Sequence, residues 1–128
     1  MAVRIVRLGS PRAGDEGTRI GTVRRPPRGV PKAEFASGNW YDVWFPLLSP
    51  SAATVKLAQE ATTARDWAAF AKAFKREMAA PDAAHALDLF ATLSQTANFS
   101  LGCYCADEAH CHRSLLRELL RKRGAKID

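Results

Sequence analysis

Apolar and basic residues alternate in Val3-Arg-Ile-Val-Arg-Leu8, the two-residue period of a strand with one face turned inward. Thr18 to Val23 has the same character and predicts a second strand, separated from the first by a Gly/Pro-rich loop. Arg24-Arg-Pro-Pro-Arg-Gly29 ends it, because consecutive prolines supply no ladder N–H groups. Residues 30–48 hold Trp40, Tyr41, Trp44 and Phe45 and predict an aromatic-rich connection rather than one element. Ser49-Pro50 predicts a helix start, a capping hydroxyl followed by proline at the first helical position, with the helix running to about Thr62.

Trp67, Phe70, Ala71, Phe74 and Met78 fall on one face of a second helix, with Lys72, Lys75 and Arg76 on the other side. Pro81-Asp82 opens a third, expected to bury Leu87, Phe90, Ala91 and Leu93, with His85 structural or solvated. Asn98 to Tyr104 is extended and mostly apolar, a buried strand. In a last helix Cys111, Leu115, Leu116 and Leu119 share one face and Arg113, Arg117 and Arg121 another. Glu118 and Lys122 form a favourable i,i+4 pair there, and Gly124 is the stop. Strands early, helices in the middle and a final strand–loop–helix predict one α/β domain over residues 1–128, with a small, largely parallel sheet flanked by helices.

Composition narrows the class. No segment has the roughly 18–20 apolar residues of a membrane span, and the arginines in the first residues break any signal-peptide core. The three cysteines are clustered, not spread as a disulfide framework, which predicts a reducing, cytoplasmic setting and no membrane partner. The net charge is +6, and it is uneven. Residues 1–32 hold eight Lys or Arg against two acids, and residues 113–128 hold six against two. Such ends attract phosphate-bearing ligands or nucleic acid if the fold brings them together.

The chemistry is concentrated in GCYCADEAHCHRS, residues 102–114, which holds Cys103, Cys105, Cys111, His110 and His112. Zinc sites use four Cys/His ligands, commonly in pairs two to four residues apart, and this spacing falls outside that pattern. Adjacent Cys111 and His112 at a helix start point about 100° apart, so their joint chelation needs an irregular backbone. A cysteine phosphatase loop is excluded: six positions after Cys105 stands Cys111, where that pattern requires arginine. A thiol role survives, since a helix start beside His112 and Arg113 favours a thiolate at Cys105 or Cys111, while Cys103 reads as buried.

Anion binding is the third reading. In parallel α/β sheets ligands sit beyond the carboxyl ends of the strands, where both Arg24-Arg25-x-x-Arg28 and Cys105-to-Arg113 are expected. Asp107 and Glu108 would partly cancel that field.

RIGTVRRPPRGVPKAEF (19–35), NWYDVWFPLLSPS (39–51), the Trp67/Phe70 helix with Glu77-Met78, and LGCYCADEAHCHR together resemble the YeaO-like branch of the "domain of unknown function 488" family, over about Arg4 to Gly124. The resemblance implies Rossmann-like layering and no particular activity. Other members of that branch lack the strand-end cysteines and carry Asn-His in place of Cys-His, which implies that His112 and the arginines are the shared features.

The expectation is a pocket for an anionic, phosphate-bearing small molecule at the strand carboxyl ends. Arg24, Arg25, Arg28 and Arg113 are its anion clamps, and Trp40 and Tyr41 its stacking candidates, with core packing the competing job of at least one of those two. Cys105 or Cys111 is the nucleophile or redox centre, and His112 the proton-transfer group, since imidazole titrates near neutrality. No cofactor is assignable. Two rival readings are a nucleic-acid-binding module, using the basic termini and the Arg113/Arg117/Arg121 stripe, and a zinc-stabilised structural protein. Oligomeric state is not legible.

Overall fold

A computed structural model describes residues 1–128. It is an α/β fold: β1 (Val3–Arg7), β2 (Thr18–Gly21), β3 (Val43–Trp44), α1 (Ala52–Glu60), α2 (Ala64–Met78), α3 (Pro81–Leu93), β4 (Phe99–Cys103) and α4 (His112–Lys122). The sheet order is β1-β4-β2-β3, and every pairing is parallel. Among these strands and helices only β3, two residues inside the aromatic connection, lies outside the sequence expectation. No helix is long and apolar enough to cross a membrane.

β4 lies between two parallel neighbours and all five of its residues are buried, the reason it reads as an unbroken apolar run. Arg7 lies opposite Cys103, and Gly21 opposite Gly102, so three carboxyl ends finish level. Beyond them Leu8 N–H donates to Cys103 O (2.8 Å) and Thr22 N–H to Gly102 O (2.9 Å), which holds the end of β4 from both sides. Gly21 is required there: a Cβ would stand 2.4 Å from the Tyr41 ring.

The main core joins β4 to Phe70, Phe74 and Met78 of α2, Leu87, Phe90 and Ala91 of α3, and Leu115, Leu116 and Leu120 of α4. Leu119 is half-buried against it. Leu93, expected in this core, is exposed instead, because it turns about 120° from Leu87 and Ala91 is already the better-placed neighbour. A second, smaller core of Leu8, Val23, Tyr41, Cys103 and Cys111 closes the carboxyl end of the sheet. His85 is exposed.

The cap of α1 corrects the sequence expectation. Ser51, not Ser49, is the N-cap, accepting from Thr54 N–H at 3.3 Å. Ser49 instead donates to Pro46 O at 2.6 Å. Glu77 of α2 decides the choice: its carboxylate accepts from Ser51 Oγ (2.6 Å), Ser51 N–H (2.9 Å) and Thr54 Oγ1 (2.7 Å). Burial opposes that charge, but these hydrogen bonds outweigh it and hold the Glu77 carboxyl below its usual 4.5. Glu77→Ala, which strands the Thr54 hydroxyl and frees the start of α1, is expected to cost about 1.5–3 kcal/mol in urea unfolding at pH 7. Because the folded-state pKa is depressed, the contribution is present above about pH 4.5 and fades as pH falls through the folded value. A wild-type-like unfolding midpoint for the variant at pH 7 would contradict this role.

The chain ends meet at the amino end of the sheet: Ile127 bridges Val3, and Arg4 pairs with both Asp15 (2.8 Å) and Asp128 (2.9 Å). The carboxyl ends of the strands, with the cysteines, are at the opposite edge.

Candidate functional site

Cys103 ends β4, a short loop with a 3-10 turn (Glu108–His110) follows, and Cys111 and His112 start α4. The loop folds back so that Cys103 Sγ and Cys111 Sγ stand 2.7 Å apart. Cys111 is extended (φ −138°, ψ 153°) while His112 is helical, the irregular backbone that lets these adjacent side chains approach, Cys111 Sγ to His112 Nδ1 at 3.7 Å. His112 Nε2 lies 2.8 Å from Thr22 O, and a carbonyl only accepts, so Nε2 carries the proton. With Nε2 committed to that carbonyl, Nδ1 is the nitrogen turned toward the sulfurs. Phe74 packs edge-on against the imidazole, with ring centroids 5.5 Å apart.

Arg113 is buried, donates Nη2 to Cys105 O, and keeps an unpartnered Nε. Burial opposes its charge, but interaction with Cys111 and the neighbouring sulfurs raises its pKa. The sulfurs respond unequally. Interaction with Cys105 and Cys111 holds Cys103 protonated, and burial adds to that. Cys105 is lowered, first by Cys103 and then by Cys111, against a desolvation cost and with help from the Arg113 charge. Cys111 is lowered by Cys103 as well, while Cys105 and burial oppose it and His112 helps. The cluster thus favours one thiolate over three neutral thiols.

Cys103, Cys111 and His112 each offer a metal-ligating atom, and these lie within 4.8 Å of one another. Two thiolates bound to one zinc ion at about 2.3 Å and a tetrahedral angle stand roughly 3.8 Å apart. The 2.7 Å sulfur pair would have to open to take such an ion, and the Arg113 cation beside it works against one.

A cavity of about 530 Å³ opens at this edge. Cys103, Cys105 and His112 line it with Arg24, Arg25 and Arg28 from the segment after β2 and Val55 and Gln59 from α1. The fold thus brings together most of the residues singled out from sequence. Cys111 sits behind Cys103 and His112, buried. Trp40 lines an adjoining cavity, whereas Tyr41 is buried in the small core, edge-on to Phe35 with centroids 5.2 Å apart and its hydroxyl unpartnered. Of the arginine stripe on α4, Arg113 is buried, Arg117 pairs with Glu108 at 2.8 Å, and Arg121 is exposed.

Arg7, Thr22 and Tyr104 were not singled out from sequence. Thr22 fixes the imidazole chiefly through its backbone carbonyl, which carries no side-chain signal, with its hydroxyl 3.3 Å from the same nitrogen. Arg7 did carry one: it ends β1, and the rule that selected Arg24 after β2 applies equally to any strand of a parallel sheet.

Residues 3–124 match DUF488-N3a, described as the active DUF488-N3 subclade, and the chain belongs to this family. No curated protein and no solved structure matches the chain.

Proposed function

We propose that this DUF488-N3 member binds a phosphate-bearing small molecule at the carboxyl edge of its sheet and acts on it with a cysteine thiolate. One observation carries the reading: Arg24, Arg25 and Arg28 line the same cavity as Cys103, Cys105 and His112. None of those three arginines has an acidic partner within 4 Å, so their charge is available to a ligand. Guanidinium forks suit phosphate oxygens.

Cys105 is the nucleophile in this reading. It lines the cavity and is exposed, whereas Cys103 is buried and held protonated and Cys111 lies behind. Its sulfur bonds to the electrophilic atom of the ligand as the bond to the leaving group breaks. The leaving group departs with the electron pair and takes a proton from solvent or from His112 in its protonated form.

Phosphate-bearing compounds are expected to bind in isothermal titration, and Arg25→Ala/Arg28→Ala is expected to weaken them at least tenfold, two charge-assisted contacts being lost. Unchanged affinity in that variant would remove the arginine clamp. A zinc-stabilised protein is the competing outcome: stoichiometric zinc in protein purified without chelator would displace the thiolate chemistry.

A further inference from the structure

A second cavity, of about 850 Å³, adjoins the first, and Arg25, Arg28 and Tyr104 wall both. Its far side is different in kind. Trp40 lines it with Arg7 and the backbone around Gly9, and the Trp40 and Tyr104 rings meet edge-on at 6.0 Å. Trp40 is fixed on its other sides: a Cβ on Gly9 or on Gly38 would stand 3.0 Å from the indole. Tyr104 is fixed as well, its hydroxyl donating to Arg25 O at 2.8 Å and its carbonyl accepting from Arg7 Nε at 3.3 Å. The aromatic surface is therefore built in place rather than assembled on demand.

Charge completes the description. Arg4, Arg12, Arg19, Arg117 and Arg123 each hold an acid within 3 Å, while Arg7, Arg25 and Arg28 have none within 4 Å. The groove thus offers unmatched positive charge between a preformed aromatic wall and a thiol-lined end. Inorganic phosphate or a sugar phosphate would leave the aromatic wall idle, and a neutral aromatic would leave the arginines unmatched. A planar base joined to a phosphate uses both.

We infer that the ligand is a nucleotide, free or at the end of a strand, with its base against Trp40 and Tyr104 and its phosphate on Arg25 and Arg28. This deepens the phosphate-pocket reading and rests on it. The base lies toward the larger cavity, and the remaining end of the ligand faces Cys105 and His112.

Titration calorimetry with adenosine 5′-monophosphate, ribose 5-phosphate and a 5′-phosphorylated trinucleotide tests it. The mononucleotide is expected to bind about tenfold more tightly than the sugar phosphate, the range that base–aromatic stacking supplies. Trp40→Leu is expected to erase that advantage while leaving ribose 5-phosphate unchanged. Trp40→Phe, which retains a ring, keeps part of it if the leucine variant fails to fold. Arg25→Ala/Arg28→Ala weakens all three probes. Tighter binding of the trinucleotide than of the mononucleotide, with the same dependence on Trp40, supports the inference and assigns the strand end as the source. Equal affinity for nucleotide and sugar phosphate in the wild type would overturn the nucleotide inference alone. Absence of binding by all three would overturn the phosphate pocket beneath it.

Discussion

Arg19→Ala is expected to destabilise the fold by about 3–5 kcal/mol, read as a large drop in the urea midpoint, because it leaves a buried carboxylate without its counter-charge. Arg19 is fully buried on β2, and Glu16 is 3% exposed. The guanidinium donates to both Glu16 oxygens, at 2.7 and 2.9 Å, and to the carbonyls of Ser10 (2.8 Å) and Asn39 (2.7 Å). Ser100 of β4 donates to the same carboxylate at 2.7 Å. One side chain therefore ties the loop after β1, the turn before Trp40 and the central strand together. Replacing Arg19 and Glu16 jointly by methionine and leucine is expected to recover much of the loss, since no stranded charge remains.

Acid titration gives an independent check on the pair. Burial opposes the Glu16 charge, but Arg19 and Ser100 outweigh it and lower its pKa from 4.5. The stabilisation is therefore complete above about pH 4.5 and declines as pH falls through the folded-state value. The double variant is expected to lose that part of the acid sensitivity. An Arg19→Ala midpoint within a few tenths of a molar of wild type would show that the carboxylate finds another partner or is simply protonated.

The second large effect concerns the thiols. Alkylation by iodoacetamide is expected to proceed nearly as fast at pH 6 as at pH 8, whereas an ordinary cysteine slows by about two orders of magnitude over that interval. The sign follows from the direction of the shift. The neighbouring Cys103 and Cys111, with the Arg113 charge, lower Cys105 despite desolvation, so its thiolate persists well below the usual thiol range. Peptide mapping should find Cys105 modified first, because it is exposed while Cys103 and Cys111 are buried. Arg113→Ala removes one of the favourable charges and is expected to restore part of the pH dependence. A hundredfold rise in wild-type rate from pH 6 to pH 8 would show that the cluster holds no resident thiolate.

Both effects rest on contacts whose legibility differs. The α2 stripe of Phe70, Phe74 and Met78 is buried as its period requires, and β4 is buried along its whole apolar run. The parallel neighbourhood of β2 and β4, from which the arginine–cysteine convergence followed, is also as expected. Local periodicity records which face an element buries, so the first two features could be read from spacing alone, whereas the β2–β4 adjacency was a condition that the topology supplied. The N-cap of α1 could not, because Ser49 and Ser51 are chemically alike and the choice is made by Glu77, some twenty-six residues later.

Arg19 illustrates the same limit more sharply. Its strand position predicts only that it faces away from Ile20, and in sequence it is one of many arginines; burial and the Glu16 partner come from the loop folded over that face. The amino-acid sequence by itself determined the α/β class and the main elements other than β3, and it made the gathering of arginines, cysteines and His112 at one sheet edge follow if β2 and β4 were parallel neighbours, since periodicity and the rules of parallel strands carry that far. Only the tertiary structure decided which cysteine at the cavity is exposed, which imidazole nitrogen holds the proton, and which arginines remain unmatched. Those depend on distances between residues up to about ninety positions apart, such as Thr22 and His112, and no local pattern encodes them.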